Sequence, residues 1–166
     1  MATQAFDNGA TVNLINAGLV AGTTSSYTTT ATTGCVIRGK FTTQLTAQTN
    51  IATPTLDANT GAAFNALAAN QACVLMFGIN AAGAIQMAQG PIISTLTGVT
   101  TTIGGLLRDP QAPGTPNNFC PIGYVVVQTA PSAAAWTPGS SNWTASGVSC
   151  STFQNVYDMP DRPQAS

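Results

Sequence analysis

Residues 73–90 read CVLMFGINAAGAIQMAQG, a nearly uninterrupted apolar run that admits three structures: a membrane segment, a buried helix, or two strands folded back on each other. Gly78, Gly83 and Gly90 interrupt any helix longer than about two turns. Asn80, Gln86 and Gln89 break the apolar length that a membrane crossing requires. Alternation fits better. Cys73, Leu75, Phe77 and Ile79 point one way and Val74, Met76 and Gly78 the other, so both faces of this strand are apolar. The connection NAAGA, residues 80–84, has hairpin length, and beyond it Ile85 and Met87 alternate with Gln86 and Ala88. The stretch predicts a β-hairpin whose first strand is buried on both sides and whose second keeps a polar face.

Working outward, the same chemistry continues. Glu is absent, Lys occurs once, and Thr, Val, Ile and Gly are scattered through every segment, which disfavours helices and suits pleated sheet. FCPIGYVVVQTA, residues 119–130, is the strongest single strand signal, with Tyr124, Val126 and Gln128 opposing Val125, Val127 and Thr129. RDPQAPGTPNN, residues 108–118, holds three prolines and predicts a loop or extended connection. SYTTTATTGCVIRGKFTTQLTAQ, residues 26–48, reads as two strands broken near Gly34. In the second of these, Val36, Arg38, Lys40 and Thr42 are expected on a polar face and Cys35, Ile37, Gly39 and Phe41 on an apolar one. Residues 131–156 alternate short strand-like pieces with Gly, Ser and Pro turns.

Many short strands with regular turn signals predict an all-β fold: an antiparallel β-sandwich, jelly roll or barrel. The expected organisation is an N-terminal arm over 1–20, with alternating apolar Val12, Leu14 and Leu19, a single β domain over 21–157, and an extended tail over 158–166 carrying Pro160 and Pro163.

Composition limits what this domain can bind. The chain has 166 residues and only nine charged side chains, 5% of the total against about 25% in ordinary proteins. For a monomer of this mass that is one charge on the order of every 850 Å² of surface. With a net charge of −1, little repulsion opposes association, and the composition predicts a surface largely covered in an assembly. Arg38, Lys40, Arg108 and Arg162 are the only cations, too few to neutralise a series of phosphates, so neither nucleic acid nor an anionic membrane is an expected partner. The start of the sequence, MATQAFDNGATVNLINAG, lacks a basic region before an apolar core and is not read as a secretory signal. On that reading Cys35, Cys73, Cys120 and Cys150 are expected as free thiols, and NWT at Asn142 as a glycosylation match without consequence.

The search for chemistry finds little. Without His or Glu, the available bases are Asp7, Asp57, Asp109, Asp158, Asp161 and Lys40. A paired-carboxylate hydrolase is formally open, but Asp57 in PTLDANTG and Asp109 before Pro110 sit in turn contexts, where Asp bonds its own backbone. No phosphate-binding glycine motif and no metal-ligand spacing occurs, so no catalytic residue, cofactor or metal is expected. The aromatics are the remaining candidates: Tyr124, Trp136, Trp143 and Tyr157 suit a protein interface or, for an adhesin, a sugar-stacking platform centred on Trp136 and Trp143. Core packing is the competing expectation for at least one Trp.

TGAAFNALAANQACVLMFGINAAGAIQMAQGPI (60–92), NNFCPIGYVVVQTA (117–130), WTPGSSNWTASGVS (136–149) and a final MPDRPQ (159–164) together carry a resemblance. Over roughly Gly34 to Gln164 the chain resembles the capsid decoration, or cement, proteins of tailed bacteriophages. The resemblance implies a β-rich structural virion protein made in the host cytoplasm. It implies a homo-oligomer, a trimer more readily than a dimer, seated on the capsid exterior where it stabilises contacts between major capsid protein subunits. It implies no active site.

Overall fold

The computed structural model describes residues 11–41 and 45–157, and its architecture is all-β. In chain order the strands are β1 (Val12–Asn13), β2 (Leu19–Ala21), β3 (Ser26–Thr29), β4 (Cys35–Ile37), β5 (Lys40–Phe41) and β6 (Gln48–Ala52). They continue with β7 (Gln71–Asn80), β8 (Ile85–Gln89), β9 (Ile93–Ser94), β10 (Phe119–Thr129), β11 (Val148–Cys150) and β12 (Gln154–Asn155). Three antiparallel sheets result: a central one ordered β11-β10-β7-β8, with β12 also on β10 and β9 also on β7, and two small ones ordered β1-β4-β5 and β2-β3-β6. None closes into a barrel.

The predicted hairpin is β7 and β8. Leu75 pairs with Gln89 and Ile79 with Ile85, and the turn is closed by the Asn80 N–H donating to the Ala84 carbonyl at 2.9 Å. Residues 72–79 are all buried, as a strand apolar on both faces must be. On β8 the polar side is narrower than its alternation suggests, because Ala88 is fully buried beside Met76 and Phe119.

Its other partner is β10, and here one irregularity decides the core. Tyr124 faces Met76 and Val126 faces Val74, but between Pro121 and Gly123 the register slips, leaving Ile122 as an extra residue in a β-bulge. Because side chains alternate with period two, the extra residue switches parity: Cys120 and Ile122 before the slip and Val125 and Val127 after it all reach the same side. That side is the main core, shared with Leu75, Phe77, Leu19, Tyr27, Cys35 and Ile37, so both small sheets pack on one face of the central sheet as a sandwich.

The opposite face is covered by irregular chain. Val74, Tyr124 and Val126 pack with Val156. Phe119 lies over Gly78, where an added Cβ would collide with the Phe119 ring and come within 2.6 Å of the Cys120 carbonyl oxygen. The proline-rich connection runs against Gly90, and Pro110, Pro113 and Pro116 are buried in it. Lacking N–H groups, prolines place their rings on an apolar sheet face without stranding a donor there.

Two sequence expectations are corrected. The strand expected from Cys35 onward reverses after Ile37: Arg38 (φ 52°) and Gly39 (φ 74°) form a two-residue turn with positive φ at both positions, and Lys40 returns opposite Ile37. Phe41 therefore lies opposite Val36, away from the core side of Cys35 and Ile37, and Arg38 is in the turn rather than on a strand face. Residues 12–21 are also no free arm, since β1 pairs with β4 and β2 with β3, and Leu19 is fully buried. The remainder of the expected arm, the expected tail and Thr42 lie outside the described residues.

Candidate functional site

The aromatic residues form one connected cluster inside the sandwich. Trp136 and Trp143 meet at a tilt of 46° with centroids 5.4 Å apart, and Trp143 meets Phe153 edge-on at 5.4 Å and 84°. Phe77 touches Trp143, Phe153 and Tyr27 at 6.5, 5.8 and 6.0 Å. Each indole N–H has an acceptor: Trp136 donates to the Asn142 carbonyl at 2.9 Å and Trp143 to the Ser26 carbonyl at 2.8 Å. Exposure is 1% for Trp136 and 4% for Trp143. Rings so buried offer no face to a sugar, and the stacking platform expected of an adhesin is replaced by core packing of both residues.

Of the seven candidate interface residues, four are interior. Leu19, Tyr124, Trp136 and Trp143 are buried within this chain, so they are corrected from interface to core. The other three come together at the small β1-β4-β5 sheet. Val12 is half-buried on β1, Leu14 is 47% exposed just beyond it, and Tyr157 is 56% exposed. The Asn13 N–H donates to the Tyr157 carbonyl at 3.0 Å, so residues 11–13 and 157 run side by side. The Val12 side chain shares its face with Val36 and Phe41, which pair with each other and complete a cross-strand row. Phe41 belonged to no expected interface, because reading 35–42 as one strand put it in the core. The Arg-Gly pair followed by Lys was the signal for a two-residue turn.

The carboxylates do turn work. The Asn59 N–H donates to the Asp57 side chain at 3.0 Å and the Gly61 N–H to the Asp57 carbonyl at 2.7 Å, fastening the DANTG turn. Asp109 is exposed; Asp7, Asp158 and Asp161 lie outside the described residues. Among the described residues no three His, Cys, Asp or Glu side chains gather as a metal site would need.

A cleft of about 680 Å³ opens between β2 and β11 and is lined by Val20, Trp143, Val148, Ser149, Cys150 and neighbouring residues. Its only titratable group is the Cys150 thiol, which burial pushes up to about 12, leaving it protonated at neutral pH and a poor nucleophile. Burial likewise pushes Cys73 up to about 12. Cys35 is held below its ordinary value by a hydrogen bond with Cys120, but both are fully buried in the core. No disulfide joins any of the four cysteines.

The surface is where the unusual chemistry lies. Among the described residues there are five charged side chains, Arg38, Lys40, Asp57, Arg108 and Asp109, while ten large apolar side chains are 41–75% exposed. They include Leu96, Val99 and Leu107 around a Thr- and Gly-rich excursion, besides Leu14, Ile15, Phe41 and Tyr157 around the small sheet. Comparison with protein families, with characterised proteins and with solved structures found no match for this chain.

Proposed function

We propose that this protein is a structural component of a phage virion. It binds the outer surface of the head as a homo-oligomer and ties neighbouring major capsid protein subunits together. The observation that carries this reading is the exposure of ten large apolar side chains among the described residues, in a chain nearly free of ions. A solitary soluble domain relies on scattered charge to keep copies apart, whereas a domain covered by neighbours needs none. Its placement supports the same reading. The Asn13 N–H donates to the Tyr157 carbonyl at 3.0 Å, so the two ends of the described domain lie beside each other. Several weak contacts made by one oligomer reinforce one another through high effective concentration. The resemblance to cement proteins gives the partner; the sandwich gives a rigid body able to bridge two subunits.

Mixing the purified protein with heads that lack it, then pelleting the heads, tests the proposal. Co-pelleting that saturates at a fixed ratio to the major capsid protein is expected. Protein left in the supernatant at micromolar concentration overturns it.

A further inference from the structure

We infer that Cys35 and Cys120 form a redox-sensitive pair, which stays as two thiols in a reducing medium and closes into a disulfide between two sheets in an oxidising one. The inference is independent of what the domain binds.

The fold selects this pair from the four cysteines. Cys35 lies on the inner side of β4 and Cys120 on the core side of β10, and both are fully buried in one cluster. β4 packs directly on β10, and the two side chains share a hydrogen bond, so the sulfurs already meet across the sandwich. The slip at Ile122 is what keeps Cys120 on that side together with Val125 and Val127. Cys73 and Cys150 do not make a second pair. Both sit opposite Val127, one on each side of β10. Two strand spacings, roughly 9–10 Å, therefore separate their Cα atoms, whereas a disulfide spans about 4.4–6.8 Å.

The oxidant is a low-molecular-weight disulfide such as oxidised glutathione. The Cys35 thiolate attacks one of its sulfurs, which breaks that S–S bond and releases one thiolate. The Cys120 thiolate then attacks the Cys35 sulfur of the mixed disulfide and displaces the second. The protein gives up two electrons and two protons, and the small disulfide is reduced to two thiols. Cys35 supplies the first thiolate, because the shared hydrogen bond holds it below its ordinary value. Both sulfurs are buried, so the three-residue strand β4 must part from β10 before the first attack, a local opening that costs less than global unfolding. The closed bond ties the small β1-β4-β5 sheet to the central one and restricts the unfolded chain over the long loop from 35 to 120.

Incubating the folded chain with oxidised glutathione, in urea just below the unfolding transition so that local opening exposes the thiols, tests this. Non-reducing peptide mapping by mass spectrometry is expected to find Cys35 joined to Cys120. The melting temperature should rise by about 10 °C over the reduced chain and fall back on treatment with dithiothreitol. The Cys73→Val, Cys150→Val double variant retains the pair and should show the same rise, whereas Cys35→Ala and Cys120→Ala should each abolish it. Where an alanine variant does not fold, the peptide map of the wild-type chain decides alone. A chain whose Cys35 and Cys120 stay reduced, whose dominant bond joins other cysteines, or whose cross-linked form melts below the reduced one overturns the inference.

Discussion

The indole N–H of Trp143 donates to the carbonyl oxygen of Ser26 at 2.8 Å, joining residues 117 positions apart across the core. The ring also meets Trp136 and Phe153, so it links the segment around 131–147 to the small β2-β3-β6 sheet and to the central aromatics. Trp143→Ala is expected to cost about 3–5 kcal/mol in urea unfolding, from the cavity left behind. Trp143→Phe refills part of that volume and removes one of the two donors to the Ser26 carbonyl, which keeps the Gly22 N–H at 2.9 Å, and should cost about 1 kcal/mol. Equal losses for the two variants would contradict the cavity's share and leave the hydrogen bond as the whole effect.

Deleting Ile122 removes the extra residue that keeps Cys120, Val125 and Val127 on one side of β10. Either half of the strand must then turn its apolar row away from the core. The deletion should abolish the near-UV circular dichroism signal and cooperative unfolding, while Ile122→Val costs only about 0.5–1.5 kcal/mol. A deletion variant that melts like the parent would show that the register slip is dispensable.

The Arg38–Gly39 turn holds positive φ at both positions, which suits Asn better than Arg. Arg38→Asn is expected to stabilise the fold by about 0.5 kcal/mol, and Gly39→Ala to destabilise it by about 1–2 kcal/mol, because a Cβ disfavours left-handed backbone. Thermal melting of the two single variants in opposite directions is the check.

Alkaline pH should unfold the protein through its cysteines. Burial pushes Cys73 and Cys150 up to about 12 from an ordinary 9.0. In the unfolded chain these thiols lose their protons first, so above about pH 9 the unfolded state binds fewer protons and stability falls as pH rises towards 12. Each group contributes a slope approaching 1.4 kcal/mol per pH unit. Tyr27, raised by burial, acts in the same direction, whereas the lowered Cys35 opposes it. Urea midpoints at pH 7 and pH 10.5, compared with those of a Cys73→Val, Cys150→Val double variant, measure the effect; a double variant with an unchanged pH slope would assign it elsewhere.

The hairpin of β7 and β8 and the long strand β10 were legible because each carries its own evidence: strict alternation, β-branched residues and glycine-bearing turns within about twenty residues. The proline-rich connection was legible for the same local reason. The reversal at Arg38 was missed because alternation continues through a two-residue turn: Cys35, Ile37, Gly39 and Phe41 keep their period while the chain changes direction. Core packing was an expectation for at least one tryptophan, and the structure buries both, through acceptors and rings that nothing near positions 136 and 143 names, one of them the distant Ser26 carbonyl.

By itself the sequence determined that this chain is β-rich, poor in ions and without His or Glu, since composition and period-two patterning are local and additive properties. Only the tertiary structure decided which apolar side chains are spent in the core and which remain outside, because that depends on one bulge at Ile122 and one turn at Arg38–Gly39. The bulge puts Val125 and Val127 on the core side with Cys120, and the turn leaves Phe41 opposite Val36 on the surface.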